Sequence, residues 1–365
     1  MSTAASPLFA FEPSPTPVAA AERAQLLINP GFGKVFTDHM AIASYEEGRG
    51  WYDARITARG PVAMDPGTSV LHYAQEIFEG LKAYRRPNGG AALFRPDANA
   101  RRLNRSARRL AMPDLPEEMF LESIRALVRS EKAWIPDFED GALYLRPFMF
   151  ASEVFLGMRP AAKFTYVVLA SSVGAYFKGG APTISLWVTR DYTRAGPGGT
   201  GAAKCGGNYA MSLIAQAEAI REGCDQVVFL DAVERRWVEE LGGMNLFFVF
   251  DDGSIATPPL GGTILAGITR DSILTIGRDM GLTVREEPYA IEQWQADAQS
   301  GRLAEAFACG TAAVVTAIGS VKGAGIGFTL GGQAAGPVTR RLRERLVAIQ
   351  HGTAPDPHDW IETVE

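Results

Sequence analysis

The chain has 365 residues, which corresponds to about two domains of ordinary size. Hydrophobic residues make up 47% and charged residues 21%, and the net charge of -5 offers no basic surface for nucleic acid. Three scattered cysteines exclude a disulfide framework, and four histidines lack zinc-binding spacing. No apolar run is long enough to span a membrane. We therefore expect a cytoplasmic protein without a metal centre.

Short strands and two amphipathic helices are predicted in the first half of the chain. The strands follow from apolar and aromatic runs between turn residues, and the helices from apolar residues at three- and four-residue spacing. In chain order we expect strands at 35–45, 71–75 and 91–95, helices at 97–111 and 117–132, and strands at 142–151 and 164–171.

The second half is predicted to alternate strands with separate helices. Such hairpins interrupted by helices favour an α+β fold over a regular βαβ repeat. In chain order we expect a strand at 184–189, a helix at 208–222, strands at 224–231, 236–241 and 244–250, and helices at 269–280 and 337–351.

Changes of composition divide the chain into four segments. Residues 1–20 contain several prolines and no signal-peptide pattern, so we expect a flexible tail there. A small N-terminal domain is predicted over 21–174 and a large C-terminal domain over 190–365. A glycine-rich connector at 175–189 would join them.

Lys204 lies in the segment GAAKCGGNYA, ahead of the predicted helix at 208–222. A lysine held by closely approaching glycine backbone suits imine chemistry. The preceding run GPGGTG at 196–201 also satisfies GxGxxG, with Asp231 after the next strand, so a dinucleotide site stays open. A flexible surface loop with a solvated lysine is the third interpretation. The Walker pattern fails, because no Ser or Thr follows Lys204.

Two glutamates, Glu239 and Glu240, occur in an otherwise apolar strand. Alternation along a strand would place them on opposite faces, so that one of them points inward. An inward carboxylate without a cation would be costly. The alternative is that both lie in water at the end of the strand.

Two further segments are suited to binding anions. In LAGITRDSIL a helix begins near Thr269, and its first N–H groups are available to an anion or to simple capping. In ACGTAAVV the small residues Gly310, Thr311 and Ala312 allow close backbone approach.

Seven ordered segments are similar to one known family. They are HYAQEIFEGLKAYR, FRPDANARRLNRSARRLAMP, LYLRPFMFASEVFLGMRP, KCGGNY, EELGGMN, LAGITRDSIL and FACGTAAVV. Together they resemble the branched-chain amino acid aminotransferases, which are fold-type IV pyridoxal 5'-phosphate enzymes. The resemblance implies an α+β, two-domain architecture with a smaller N-terminal α/β domain and a larger C-terminal domain containing a barrel-like sheet.

The resemblance also implies an activity. The enzyme would transfer the amino group between L-leucine, L-isoleucine or L-valine and 2-oxoglutarate by a ping-pong mechanism. Rivals within the same fold are a D-amino acid transaminase and an aminodeoxychorismate lyase. A rival from another class is an NAD-dependent oxidoreductase that would use GPGGTG and Asp231.

The resemblance assigns the cofactor contacts residue by residue. Lys204 would form the imine and move a proton between substrate and cofactor. Glu240 would face the pyridine nitrogen and keep it protonated, and Tyr209 would bind the phenolic oxygen. The implied phosphate contacts are Arg102, Ile268, Thr269 and Thr311.

The substrate contacts follow in the same way. Arg146 would bind the side-chain carboxylate of glutamate, and the backbone of Thr311 and Ala312 would bind the α-carboxylate. The implied apolar walls are Phe32, Phe78, Tyr144 and Tyr176, for each of which ordinary core packing is the alternative. A partner subunit in a homodimer would contribute Tyr73, Leu156 and Met158.

Overall fold

The computed structural model describes residues 8–87, 89–138, 140–177, 183–323, 325–331 and 334–365. Two compact units result, residues 1–176 with 350–365 and residues 177–349, and they are of similar length. Residues 1–7 of the predicted tail and 178–182 of the predicted connector lie outside the described residues.

Apolar stripes explain most of the helices. In the arginine-rich third helix, Leu103 and Ala107 are buried on one face while Arg101 and Arg108 are exposed. In the described part of the chain, no helix is long and apolar enough to cross a membrane. The helices are α1 Ala20–Ile28, α2 Val70–Tyr73, α3 Pro96–Arg109, α4 Glu117–Ser130, α5 Gly206–Arg221, α6 Ile268–Asp279, α7 Ile291–Ser300 and α8 Pro337–Gln350.

The observed strands include most of those predicted and several that were not, such as the nine-residue strand Gly50–Ala58. In the first unit they are β1 Ala10–Phe11, β2 Val35–Phe36, β3 His39–Glu46, β4 Gly50–Ala58, β5 Glu76–Phe78, β6 Leu81–Arg85, β7 Ala91–Phe94, β8 Ala142–Ala151 and β9 Lys163–Val173. In the second unit they are β10 Ile184–Val188, β11 Gln226–Leu230, β12 Val238–Leu241, β13 Asn245–Phe250, β14 Ile255–Thr257, β15 Val284–Glu286, β16 Leu303–Gly310, β17 Val314–Gly323 and β18 Ile326–Thr329. Strand β19 Ile361–Val364 follows α8.

The first unit is built on a ten-stranded sheet in the order β1-β4-β3-β9-β8-β6-β7-β19, with β2 and β5 pairing off this path. Its long central hairpin joins β8 and β9 antiparallel in continuous register from Ala142 opposite Val173 to Ala151 opposite Phe164. Almost every residue of β8 is buried, as expected for a strand covered on both faces.

The second unit is built on a nine-stranded sheet in the order β12-β11-β10-β17-β16-β13-β14-β15, with β18 beside β17. Parallel pairs (β10 with β11 and β17) stand next to antiparallel ones, so the sheet is mixed. Strand β13, NLFFVF, is buried at every residue and packs Phe248 against Trp294 of α7. Strand β12, which carries the two glutamates, lies at the edge of the sheet.

The structure corrects one predicted strand and adds a helix that was not predicted. Residues 71–75, predicted as a strand, lie largely in the single helical turn α2, which ends at Ala74 in the left-handed conformation. Five residues are too few to tell period two from a helical turn. Helix α7 was not predicted, although its buried Ile291 and Trp294 have helical spacing.

The ends of the chain also differ from the prediction. From Phe9 onward the predicted flexible tail packs against the first unit. Phe9 is buried, β1 pairs with β4, and the Ser14 N–H donates to His39 Nε2 at 2.8 Å. The closing residues 350–365 belong to the first unit, since β19 pairs antiparallel with β7.

Candidate active site

Lys204 and Tyr209 form the first part of the candidate site. Lys204 lies two residues before α5, and Tyr209 lies in the first turn of that helix. The Lys204 Nζ donates to the Tyr209 hydroxyl oxygen at 2.7 Å and lies 5.2 Å from the centre of its ring. The amine of Lys204 and the phenol of Tyr209 are therefore neighbours, as predicted, and Lys204 is half-buried.

The glycine-rich run before Lys204 packs against its own surroundings. A Cβ at Gly201 would lie 2.4 Å from the Thr263 carbonyl oxygen, so only glycine fits. Asn208 Nδ2 donates to the carbonyl oxygens of Thr200 and Ala203, at 2.9 and 2.8 Å. These bonds fix the loop and the start of α5, so the lysine is held by a rigid turn rather than by a flexible surface loop.

The dinucleotide interpretation gains no support from Asp231. Its carboxylate accepts N–H groups from its own turn, at residues 233, 234, 236 and 237. These bonds hold the pKa of Asp231 below its usual value against the effect of burial. A carboxylate committed to four local donors is a turn residue rather than a ribose ligand.

Glu240 is the second part of the candidate site. It is only 3% exposed, and its Oε1 lies 2.7 Å from Arg194 Nη2 and accepts the Leu265 N–H at 2.8 Å. Its Oε2 receives a longer contact of 3.4 Å from Asn245 Nδ2. Burial raises the pKa of Glu240 to about 7, although Arg194 and the Leu265 N–H act to lower it.

Glu239 is buried as well, at 7% exposure, so neither the one-inward expectation nor the solvated strand end is correct. Burial raises its pKa, and the Thr263 hydroxyl donates to its Oε1. Alternation along β12 does not predict burial here. Although β12 is an edge strand, the segment carrying Thr263 and Leu265 covers the side chains that an uncovered edge strand would expose.

Backbone suited to anions lies at the start of α6 and at the turn between β16 and β17. Ile268 and Thr269 form the first turn of α6, where N–H groups have no partner within the helix. A Cβ at Gly267 would lie 2.0 Å from Asn245 Oδ1, so glycine is required there. Thr311 and Ala312 lie in the turn between β16 and β17.

Cys309 links that turn electrostatically to Glu240. Burial raises the pKa of Cys309 to about 12, while Arg270 acts to lower it and Glu240 to raise it. The end of β16, the first turn of α6 and Glu240 are thus close enough to influence one another. The sequence-predicted residues of the second unit belong to one neighbourhood around β12 and α6.

In the first unit, Arg102 forms a buried ion pair. Its Nε and Nη2 donate to Glu79 Oε1 and Oε2, both at 2.7 Å, and Asn99 Nδ2 donates to the same carboxylate at 2.7 Å. A two-point pair of this kind fixes the plane of the guanidinium group. Arg102 is therefore strongly oriented by a carboxylate that the sequence did not single out.

The predicted wall residues of the first unit cluster around Arg146. The ring of Phe32 lies 5.0 Å from the rings of Tyr144 and Tyr176. Arg146 donates to the Tyr144 hydroxyl oxygen at 2.9 Å and stacks 4.7 Å from the centre of Phe78. The structure brings all five predicted residues together as an aromatic group with one guanidinium.

Tyr73, Leu156 and Met158 form a separate, exposed group. The Tyr73 hydroxyl donates to the Leu156 carbonyl oxygen. All three side chains are exposed, and Met158 is 95% exposed. Large apolar side chains left in water in this way favour contact with another molecule.

Arg194, Asn245 and Glu79 are functional candidates that sequence reasoning missed. Arg194 precedes the glycine run with no motif of its own. The signal that could have found it was indirect, because an inward glutamate in β12 requires a cation. Nothing in the sequence identified which of the many arginines would supply it.

Comparison with known proteins identifies the family. The model for amino-transferase class IV matches residues 76–321, and the chain belongs to this family. It is 54% identical over 360 residues to a probable branched-chain-amino-acid aminotransferase of Streptomyces coelicolor, covering 98% of this chain and 99% of that one. It is also 54% identical over 349 residues to a branched-chain-amino-acid aminotransferase of Mycobacterium tuberculosis, covering 94% and 95% of the two chains.

A solved structure gives the same result. The Escherichia coli branched-chain amino acid aminotransferase superposes with a TM-score of 0.74 at 29% identity, covering 89% of this chain and 100% of that one. The predicted fold-type IV architecture is thereby confirmed.

Proposed function

We propose that the protein is a branched-chain amino acid aminotransferase that uses pyridoxal 5'-phosphate. It transfers the amino group between L-leucine, L-isoleucine or L-valine and 2-oxoglutarate in two half-reactions, as a cytoplasmic enzyme of amino-acid biosynthesis. The observation that carries the proposal is the lysine and tyrosine pair in one neighbourhood with a buried glutamate. Membership of the aminotransferase family supports it.

The residues present fit this cofactor. An amine can hold its aldehyde carbon, a phenol can face its phenolic oxygen, and a buried carboxylate can face its ring nitrogen. Glu240 Oε2 has only the longer Asn245 contact among the described residues, which leaves it the better acceptor for a ring N–H. When bound, the cofactor supplies an electron sink for the carbanion at the substrate Cα.

In this proposal the chain contributes proton transfer, charge and orientation. Lys204 Nζ takes the proton from the substrate Cα and returns it on the cofactor side, a general acid-base role of about 10²- to 10⁴-fold. Tyr209 holds the lysine amine in place through its hydroxyl group. Glu240, carrying a negative charge, keeps the ring nitrogen protonated.

Anion binding is divided between backbone and side chains. Arg102, oriented by Glu79, would bind the cofactor phosphate, and in the second unit Ile268, Thr269 and Thr311 would do so. A guanidinium group and a helix N-terminus are both suited to a phosphate dianion. The backbone N–H groups of Thr311 and Ala312 bind the substrate α-carboxylate.

The aromatic group around Arg146 accounts for the two kinds of substrate. Phe32, Phe78 and Tyr144 offer apolar surface to a branched side chain, while Arg146 can bind the side-chain carboxylate of glutamate. Arg146 also stacks on Phe78, so with leucine bound its charge remains compensated by the ring face.

Replacing Arg146 by glutamine tests this function and its dual specificity. In the wild-type protein, both L-leucine and L-glutamate should convert the loaded enzyme to the amino form in stopped-flow experiments. The variant should lose about 10²-fold in kcat/KM for L-glutamate, because one charge-assisted pair is removed, and much less for L-leucine.

Controls distinguish the rival activities. Phe36→Leu, in the same unit but outside the aromatic group, should react with both substrates as the wild type does. A wild-type protein that reacts with D-leucine but not with L-leucine would instead be a D-amino acid transaminase. Equal losses of kcat/KM for both substrates in the Arg146 variant would show that Arg146 does not discriminate between them.

We further propose that the protein acts as a homodimer in which the partner copy covers Tyr73, Leu156 and Met158. Changing Met158 to glutamate should shift the sedimentation coefficient toward that of a monomer, because a charge would be buried at the contact. The matched control is Val233→Glu, since Val233 is also exposed, at 75%, but in the other unit. An unchanged Met158 variant would contradict the assignment of this surface.

A further inference from the structure

Arg194 is held in place by the backbone of two loops. The residue is 3% exposed, and its Nη2 donates to the carbonyl oxygens of Gly201 and Thr263, at 2.8 and 2.5 Å. Gly201 belongs to the glycine-rich run before Lys204, and Thr263 belongs to the segment that covers β12. A terminal guanidinium nitrogen carries two hydrogens, and the two carbonyl oxygens take both. The position of this cation is therefore set by the fold.

The same nitrogen of Arg194 forms a buried ion pair with Glu240. Nη2 lies 2.7 Å from Glu240 Oε1, which also accepts the Leu265 N–H at 2.8 Å. Glu240 is 3% exposed, and two charges interact more strongly in a buried site than in water. On the other oxygen, Oε2, the described residues place only the 3.4 Å contact from Asn245 Nδ2. Glu240 thus has one oxygen against a fixed cation and one oxygen available to a further donor.

Other titratable groups also act on Glu240. Burial has the largest effect on the pKa of Glu240 and raises it, and Arg194 comes next and lowers it. Glu239, on the same strand, acts to raise this pKa, and Lys204 acts to lower it. From β16 the thiol of Cys309 faces the same region, and burial raises its pKa to about 12, so it is neutral. Since Lys204 is committed to the cofactor once that is bound, Arg194 is the cation that remains for Glu240.

A proton between Glu240 and the ring nitrogen of the cofactor can lie on either group. With the proton on the ring nitrogen, Glu240 is negatively charged and faces the Arg194 cation. With the proton on Glu240, the cation faces a neutral carboxyl group. Arg194 also repels a positive ring nitrogen, but that nitrogen would lie beyond Glu240, on the Oε2 side. The nearer attraction outweighs the more distant repulsion.

We propose that Arg194 is a positioning residue that determines which group holds this proton, because its fixed charge keeps Glu240 ionised and so leaves the proton on the ring nitrogen of pyridoxal phosphate. This inference rests on the proposed function. It gives a role to a residue that contacts neither substrate nor cofactor and acts through Glu240. A protonated ring nitrogen is what makes the cofactor an effective electron sink.

The experiment is NMR at pH 7.5 on the loaded enzyme containing pyridoxal phosphate labelled with nitrogen-15 in the ring. The wild type should show a protonated ring nitrogen. In Arg194→Gln the proton should move toward Glu240, because a neighbouring opposite charge lowers the pKa of a carboxylate by about one to three units. The ratio of ring-bound to carboxyl-bound proton should therefore fall about 10- to 10³-fold.

Two further variants separate charge from loop anchoring. Arg194→Lys keeps a cation but not the guanidinium group that binds both loops, and its ring nitrogen should stay protonated. Arg270→Gln is the matched control. Arg270 is also 3% exposed, donates to the Pro258 carbonyl oxygen at 2.8 Å and pairs with Glu286 at 2.7 Å. Its loss loosens the same unit without removing the cation beside Glu240, so the ring nitrogen should again stay protonated.

A double variant tests whether Arg194 acts through Glu240. With glutamine at position 240 the carboxylate is gone, and only the repulsion between Arg194 and a positive ring nitrogen remains. Arg194→Gln in the Glu240→Gln background should therefore make the ring nitrogen easier to protonate than in Glu240→Gln alone. This effect is opposite in sign to that of Arg194→Gln in the wild type, and a nitrogen-15 pH titration would measure it.

Several results would overturn the inference. These are an unprotonated ring nitrogen in the wild type, a ring nitrogen that stays protonated in Arg194→Gln, equal shifts in Arg194→Gln and Arg270→Gln, or the same sign of effect in both backgrounds. If Arg194→Gln does not load, Arg194→Lys and the double variant decide the matter. An unprotonated ring in the lysine variant, or no gain in the double variant, would then contradict the assignment. A wild-type protein that binds no pyridoxal phosphate would instead refute the proposed function.

Discussion

Replacing Lys204 by alanine should abolish transamination and remove the visible absorption band of lysine-bound pyridoxal phosphate. Lys204 is the amine that donates to the Tyr209 hydroxyl oxygen, and its removal takes away the group that forms the imine. Loss of general acid-base catalysis alone costs about 10²- to 10⁴-fold, and loss of the covalent contact adds to this. The rate of the half-reaction with L-leucine, measured in a single turnover, checks the prediction.

A matched control is available at the same position. Lys204→Arg keeps a cation near Tyr209 and Glu240 but cannot form the imine, so it should be as inactive as the alanine variant while retaining more of the wild-type stability. Addition of a small primary amine should restore part of the alanine variant's activity. A visible band and normal turnover in Lys204→Ala would show that another group holds the cofactor.

The parts of the fold that the sequence predicted well are those with long, regular patterns. Helices α3 and α4 were predicted to within about two residues of their observed ends, because their apolar stripes extend over several turns. Strands β8 and β13 are mostly apolar runs between turn residues. Short elements such as α2 carry too few residues for a period to be decided.

The charges of the candidate site were harder to predict. The motif around Lys204 and Tyr209 is local, so sequence spacing was enough to place one beside the other. Arg194 and Glu240 are far apart in sequence, and only the folded loops around Gly201 and Thr263 bring them together. The burial of Glu239 depends on the same covering segment, which strand alternation does not describe.

Arg102 shows a different limit of sequence reasoning. The arginine-rich helix α3 offers several candidates, and the structure distinguishes them by their partners. Arg101 pairs with Asp97 at the surface, whereas Arg102 is buried against Glu79. Burial follows from the helical face, but the partner lies on a different segment and carries no recognisable signal in the sequence.

Replacing Glu240 by glutamine should weaken catalysis strongly and also change how stability depends on pH. An uncharged amide cannot hold the proton on the ring nitrogen. Each unit by which that pKa falls corresponds to about 1.4 kcal/mol, or tenfold in the fraction protonated once the pH exceeds it. A loss of about two units would lower the rate about 10²-fold, which steady-state kinetics with L-leucine and 2-oxoglutarate would detect.

The effect on stability follows from the raised pKa of Glu240. In the cofactor-free folded protein this pKa is about 7, whereas an unfolded glutamate titrates near its usual value of 4.5. Between these values the folded state binds more protons than the unfolded state. The stabilisation is therefore complete below pH 4.5 and is lost as the pH rises through 7, by up to about 3 kcal/mol.

Urea unfolding of the cofactor-free protein between pH 5 and pH 7.5 would measure this dependence. The wild type should lose free energy of unfolding across that range, and Glu240→Gln should lose distinctly less. Some slope should remain in the variant, because burial also raises the pKa of Glu239. Equal slopes in the two proteins would mean that Glu240 is already ionised in the empty site. The effect of Arg194 on the pKa of Glu240 would then outweigh the effect of burial. Glu240 would already be negatively charged before the ring nitrogen of the cofactor binds beside it.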